Sequence, residues 1–398
     1  MLGGLQMEAM PQRIPFLRAG IPSPDQWTPF LAASFEAGQF SNFGPCYQRL
    51  RQELVAGHGR DDYDVALCAN ATIALTATLV AYGLRGKVIV PNFTFPATLH
   101  SVLAAGCDVV LADVDPATWE LSVETLEKAL AAHPDAVAVC PVRVFGFWRD
   151  HGALHAAATA RGLAMVTDAA AAFGRVERYA VDKVGSDHGH AEVFSFHVTK
   201  VFGVGEGGGV FLPRARMAAM ESAMNFGCRS DRSFGDGGNA KLDEVHSAIG
   251  LARLRTLSGE VATRIRIAAR YQRALDFEGV GLPLDPAACE PWQTFPLKLP
   301  DTDLRERLVE ACEARGIGLR RYYAPALSEG YHGLFADRVF RTATPVAIDL
   351  AQTMICLPIY PSLTEREQAL VIDVVTETLE RHGVFRRRLR SDHAQPAA

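Results

Sequence analysis

The stretch EVFSFHVTKVFGVGEGGGVFL, Glu192–Leu212, decides the fold. It opens and closes on short β-branched and aromatic runs, Val193–Phe196 and Gly209–Leu212, that read as strands. Between them lie one lysine, Lys200, and a glycine-rich turn whose backbone can approach a ligand closely. Upstream, five runs of the same kind occur at Asp64–Leu67, Lys87–Val90, Val109–Leu111, Ala136–Pro141 and Leu163–Thr167. They alternate with helical patterns at Ala71–Tyr82, Phe95–Ala105, Val123–Ala132 and Ala153–Ala160. Strand–helix–strand repetition with apolar strands predicts an α/β fold, a large mostly parallel sheet covered by helices on both faces. In such sheets ligands collect at the carboxyl ends of the strands.

After about Gly259 the pattern changes. An Arg-rich helix, Val261–Ala274, precedes a Pro-rich passage, a strand at Phe295–Leu299, a helix near Leu304–Ala314 and a strand ending at Arg320. A last strand, Met354–Leu357, leads into a helix at Glu365–Arg381. This predicts a large domain over residues 1–258, a smaller C-terminal α+β domain over 259–385, and a fraying tail over 386–398.

The chain has 398 residues, enough for one large domain or two ordinary ones. Its 40 Lys+Arg against 45 Asp+Glu give 40 − 45 = −5. That balance argues against a dedicated nucleic-acid binder, which needs a clustered basic excess. Hydrophobic residues make up 48% and charged ones 21%, a globular and not a disordered balance. No apolar run approaches the roughly 20 residues of a membrane-spanning helix. The N-terminus MLGGLQMEAMPQRIPF lacks the basic start and long apolar run of a secretory signal. The eight cysteines, Cys46, Cys68, Cys107, Cys140, Cys228, Cys289, Cys312 and Cys356, include no CxxC pair. They read as buried free thiols of a reducing, cytoplasmic compartment.

Three chemically distinctive side chains fall at strand ends. Asp168 closes LAMVTD, and Ser195 and Lys200 lie in FSFHVTK. A small-residue turn, Asn70-Ala71-Thr72, follows the strand near Val65–Cys68 and opens a helix, whose free amides are a ready anion site. Taken singly, Lys200 reads as a solvated side chain, Asp168 as a helix N-cap and Ser195 as a strand-end hydroxyl. Together they suit pyridoxal 5'-phosphate, which needs an amine for its Schiff base, a carboxylate at its pyridinium nitrogen and donors for its phosphate.

The sequence resembles the DegT/DnrJ/StrS family of pyridoxal-phosphate sugar aminotransferases, of the fold-type I, aspartate aminotransferase-like class. The resemblance runs from about Asn42 to Val375 through NFGP (Asn42–Pro45), ANATIAL (Ala69–Leu75), VPNFTFPAT (Val90–Thr98), DVDPATWELS (Asp113–Ser122) and TDAAAAFG (Thr167–Gly174). It continues through EVFSFHVTKVFGVGEGG (Glu192–Gly208), MNFG (Met224–Gly227), NAKLDEVHSAIGLARL (Asn239–Leu254), RRYYAPAL (Arg320–Leu327) and CLPIYPSLTERE (Cys356–Glu367). It implies that Lys200 is the Schiff-base lysine and proton shuttle, and that Asp168 partners the pyridine nitrogen. It further implies that Phe95 stacks on the ring face, and that Ala71, Thr72 and Ser195 bind the phosphate. Asn225 would reach the phosphate of a neighbouring subunit, so a homodimer with shared active sites is implied. The implied reaction moves an amino group from L-glutamate to a keto-sugar, a nucleotide-linked 4-keto-6-deoxy sugar, in amino-sugar biosynthesis. Two alternatives stay open: a non-nucleotide cyclic ketone as substrate, or a non-catalytic cofactor-binding regulator. Arg229 and Arg321 are candidates for pyrophosphate or carboxylate contacts.

Two departures from the family pattern bear on the substrate. Ala171 stands three positions after Asp168, where the family usually has Gln or His, and Arg143 stands where His is commoner. Lys200 is retained, whereas sugar dehydratases of the family carry His there. Other features are set aside. Gly203, Gly205 and Gly208 match the dinucleotide spacing but run into a strand and not a helix. His151 and His155 have a metal-like i, i+4 spacing but no third ligand, and read as an exposed pair, so no metal is expected. Asp113 and Asp115 read as a turn after a strand, and the basic run at 386–390 as a solvated tail.

Overall fold

The computed structural model describes residues 13–174, 190–282 and 290–387. All seven strand stretches of the first two-thirds form strands: β1 (Tyr63–Cys68), β2 (Lys87–Pro91), β3 (Asp108–Ala112), β4 (Ala136–Val139), β5 (Ala164–Asp168), β6 (Ala191–Ser195) and β7 (Gly208–Pro213). Later in the chain come β8 (Phe295–Lys298), β9 (Val339–Arg341) and β10 (Met354–Leu357). Eight strands form one sheet in the order β1-β7-β6-β5-β4-β2-β3-β9. The pairs β6–β5, β5–β4, β4–β2, β2–β3 and β3–β9 are parallel. Only β7 runs against its neighbours, β1 and β6. Since both oppose β7, β1 and β6 run the same way. The carboxyl ends of β1, β2, β4, β5 and β6 therefore share one edge of the sheet.

The strands sort their side chains by parity, as a sheet buried on both faces requires. Val88, Val90, Val109, Leu111, Val193 and Val210 face one core, with Leu75, Leu79, Val102 and Met220 of the covering helices. Ile89 and Val110 face the opposite side with Leu126, Leu130 and Leu154. Phe194 and Phe211 do the same further along, against Tyr47, Leu50, Leu54 and Leu251. Burying each such phenylalanine stabilises the fold by about 1.5–3 kcal/mol. The expected helices form at Ala71–Ala81, Pro96–Ala104, Val123–Ala132 and Gly152–Ala160.

Beyond residue 257 the helix Leu257–Ala274 leads to the two-stranded sheet β8–β10. Ile267, Tyr271, Leu297, Leu308, Ile355, Val375 and Leu379 pack into its core. That core runs on into Phe93, Phe145 and Phe147 beneath the carboxyl edge of the large sheet. The strand expected to end at Arg320 is reduced to a single antiparallel bridge, Arg320 to Cys356. β9 has no counterpart in the sequence reading; its three residues return to the outer edge of the large sheet beside β3.

Several sequence readings change. His151 and His155 are not an exposed pair: His151 is buried, with Nε2 2.9 Å from Oε2 of Glu120, and His155 stacks on His190 at 5.5 Å. Cys228 is exposed, unlike the other described cysteines, and Cys289 lies outside the described residues. Asp115 does form a turn, accepting from the amides of Ala117 and Thr118 at 2.9 and 2.8 Å. Asp113 receives the amides of Val346 and Ala347, which open the helix Pro345–Thr353. Arg386 bridges Phe277, the amide of Arg387 donates to the carbonyl of Asp276, and residues 388–398 lie outside the described residues. No described helix is long and apolar enough to cross a membrane.

Candidate active site

The shared carboxyl edge of the sheet holds a cavity of about 730 Å³. Ala71, Thr72, Phe95, Asp168, Ser195 and Lys200, six residues singled out from sequence, all line it. Each arrives by a separate element. Asn70 caps the helix Ala71–Ala81, its Oδ1 accepting from the Ile73 amide at 2.9 Å. That leaves the earlier amides, at Ala71 and Thr72, without partners inside the helix. Gly208 makes this placement possible: a Cβ there would lie 2.9 Å from the Ala71 nitrogen. Ser195 ends β6 and its Oγ accepts from the His197 amide at 3.2 Å. Phe95 caps the helix Pro96–Ala104 and leaves 55% of its surface exposed at the cavity wall.

Asp168 ends β5 and is buried. Its Oδ2 accepts from the Thr98 hydroxyl at 2.8 Å and its Oδ1 from the Ala170 amide at 3.0 Å. Thr98 is in turn 3.0 Å from the Thr94 hydroxyl. Burial pushes the Asp168 pKa up, and these hydrogen bonds and the Lys200 charge oppose that rise. A cation seated against the carboxylate would restore its charged form. Desolvation pulls the Lys200 amine down to about 8, with Asp168 opposing. Lys200 Nζ donates to Oε1 of Gln293 at 3.3 Å.

Sequence reasoning missed Gln293, Thr98, Tyr322 and Tyr323. Gln293, Tyr322 and Tyr323 reach the cavity from the C-terminal part. Tyr323 stacks on Phe145 with ring centroids 5.2 Å apart. Thr98 and both tyrosines lie inside quoted motifs, where neither spacing nor periodicity gives them a role. Gln293 lies in no motif.

Asn225 does not line the cavity. It caps the helix Met217–Met224 and its Oδ1 accepts from Lys241 Nζ at 2.7 Å. Arg143 lines the cavity but is committed elsewhere. It donates to Glu192 Oε1 from Nη2 at 2.7 Å and to the Arg149 carbonyl at 2.7 Å, and lies 3.9 Å from the Trp148 ring centroid. Ala171 also lines the cavity and is buried. Arg321 is paired with Glu306, Nη2 to Oε2 at 2.5 Å, and lines a second cavity of about 550 Å³. That cavity shares Thr94, Phe95, Tyr322 and Tyr323 with the first. Arg229 is exposed and lines neither.

The donor set fits pyridoxal 5'-phosphate: free helix amides and a hydroxyl for an anion, a buried carboxylate for a ring nitrogen, and a weakly basic amine between them. Among the described residues no cluster of His, Cys, Asp and Glu could hold a metal ion.

Comparison with known proteins bears on this chemistry. The model of the DegT/DnrJ/EryC1/StrS aminotransferase family matches residues 27–376. The dTDP-3-amino-3,4,6-trideoxy-alpha-D-glucose transaminase of Streptomyces venezuelae is 34% identical over 88% of this chain and 91% of its own. The dTDP-4-amino-4,6-dideoxy-D-glucose transaminase of Shigella dysenteriae is 29% identical over 90% of this chain and 96% of its own. The crystal structure of DesI with its TDP-sugar product superposes with a TM-score of 0.81 at 28% identity, covering 94% of this chain and 95% of that one. The chain belongs to the DegT/DnrJ/EryC1/StrS aminotransferase family and is a pyridoxal-phosphate-dependent aminotransferase of fold type I.

Proposed function

We propose that this member of the aminotransferase family transfers an amino group from L-glutamate to a nucleotide-linked keto-sugar, working as a homodimer. The observation that carries the reading is the pair of adjoining cavities, about 730 and 550 Å³, with common aromatic walls. A lone hexose would not need both. The relatives from Streptomyces venezuelae and Shigella dysenteriae are named for amino groups at C3 and C4 of dTDP-linked sugars, which supports a nucleotide-linked substrate. A 4-keto-6-deoxy sugar is the first substrate to test.

Pyridoxal phosphate, when bound, supplies a carbonyl that takes up the amine and a ring that stores the electrons of the broken C–H bond. The chain's own residues would do the rest. The amides of Ala71 and Thr72 and the Ser195 hydroxyl bind the phosphate, with Asn225 of the partner subunit beside them. Phe95 covers one ring face. Asp168, whose rise in pKa on burial is opposed by Thr98, the Ala170 amide and Lys200, would sit against the ring nitrogen and hold a proton on it. Lys200 Nζ removes and returns the proton at the substrate carbon; an amine whose pKa is about 8 can do both near neutral pH.

The test is a panel of nucleotide-linked 4-keto and 3-keto sugars and free cyclic ketones, each with glutamate, followed by the appearance of 2-oxoglutarate. Turnover with a nucleotide-linked sugar is expected. Turnover only with free cyclic ketones, or none with glutamate on any acceptor, would replace this reading.

A further inference from the structure

Gln293 is the one uncharged polar side chain described as bonded to the Lys200 amine, and no role has been given to it. We propose that Gln293 is the positioning residue for Lys200. Its amide oxygen holds the free amine over the cavity in the half of the reaction in which the lysine carries no cofactor, without locking a proton on it. The inference rests on the assignment of Lys200 made above.

The geometry carries it. Lys200 Nζ donates to Gln293 Oε1 at 3.3 Å, and both side chains line the larger cavity. Gln293 is itself 7% exposed, so its amide has little water to turn to. The backbone that presents it is held firmly. Trp292, just before it, has φ of 48°, a left-handed conformation that costs a bulky residue about 1–3 kcal/mol and persists only when its surroundings enforce it. The enforcing contact is Arg264, a buried guanidinium whose Nη1 donates to the carbonyls of Trp292 at 3.0 Å and Ile359 at 2.8 Å. The Trp292 ring stacks on Phe295 of β8 with centroids 5.2 Å apart. A strained, clamped residue thus delivers one amide to one amine.

The chemistry of the partner matters. A carboxylate at this position would favour the ammonium form and remove the lysine as a base. An apolar side chain would leave a desolvated ammonium without an acceptor. A neutral amide accepts from the amine in either state. The titratable groups on the other walls of the cavity are Asp168, Arg143, His197, Glu206, Tyr322 and Tyr323. Of these, Asp168 is the one that acts on the Lys200 charge.

The test uses full-length enzyme loaded with pyridoxamine 5'-phosphate, which leaves Lys200 free. Competitive acetylation across pH 6–11, with mass spectrometry of the peptide spanning FSFHVTK, gives the titration midpoint of Lys200 without any turnover. Gln293→Glu is expected to raise that midpoint by about one unit or more, and to move the acidic limb of the reaction with keto acceptor upward by the same amount. Gln293→Met, of similar length and apolar, is expected to lower the midpoint, and it serves if the glutamate variant does not fold. A midpoint unmoved in the folded variants would overturn the proposal. Failure of the Lys200 assignment is told apart separately, by borohydride reduction of the wild type leaving no pyridoxyl adduct on this peptide.

Discussion

Two buried carboxylates, Asp168 at the end of β5 and Glu244 at the start of the helix Glu244–Leu254, make opposite use of the same physics. Glu244 is fully buried, and its oxygens are taken up by the chain itself. Oε2 accepts from the Ser34 hydroxyl at 2.7 Å and the Cys46 amide at 2.6 Å, and Oε1 from the Tyr47 amide at 2.9 Å. It caps the helix Pro45–His58 from outside, where the dipole favours an anion. Gly44 lies against it so closely that a Cβ would come within 2.7 Å of its carboxyl carbon. Asp168 is as deeply buried but has two donors, Thr98 and the Ala170 amide, and borders a cavity. One carboxylate is enclosed by donors of the chain; the other faces a cavity as well. Burial alone does not separate a structural charge from a functional one. What separates them is whether the carboxylate is enclosed by the chain or also faces a cavity.

Substitutions can break this contrast or sharpen it. The largest effect is expected beside the open carboxylate. Lys200→Ala should lower turnover by about 10⁴-fold or more while circular dichroism and melting temperature stay near wild type. Asp168→Ala should lower turnover by about 10³-fold with a melting temperature within a few degrees of wild type. Glu244→Ala should do the reverse. It orphans three donors and should cost about 3 kcal/mol in stability, read by denaturant titration, with turnover per folded molecule unchanged. If Glu244→Ala lost activity and kept stability, the contrast would be wrong.

Smaller effects test the electrostatics. With its amine at about 8, Lys200 should act as a base more effectively as pH rises. In the half-reaction from the pyridoxamine form, rate should climb through pH 8 and be about tenfold below its plateau at pH 7. A flat profile from pH 6 to 9 would mean that Lys200 is not the base. Thr98→Val removes one donor to Asp168 and should cost about fivefold in turnover, near 1 kcal/mol.

Much of this arrangement is legible in the sequence, for identifiable reasons. Strands buried on both faces must be continuously apolar, so β1 to β7 stand out, and residues at their ends can be assigned to one edge. Hence Asp168, Ser195 and Lys200, from two separate stretches of chain, reach one cavity as the reading requires. β9 is invisible because a three-residue edge strand has no period to detect. His151 reads as exposed from its helical spacing, whereas its partner, Glu120, lies 31 residues away. Gln293 is hidden for the same reason: it meets Lys200 across 93 residues, through a turn shaped by Arg264. Thr98 and Glu244 sit inside recognisable motifs, yet nothing local distinguishes a threonine that supports a carboxylate from one that packs.

The proposed chemistry requires a covalent link between one lysine and the cofactor. Reduction of the purified, cofactor-loaded enzyme with borohydride, followed by peptide mapping, tests it most directly. A pyridoxyl group fixed on Lys200, and absent from Lys200→Ala, is the expected result. An unmodified Lys200 peptide, or a pyridoxyl group fixed on a different lysine, would contradict it.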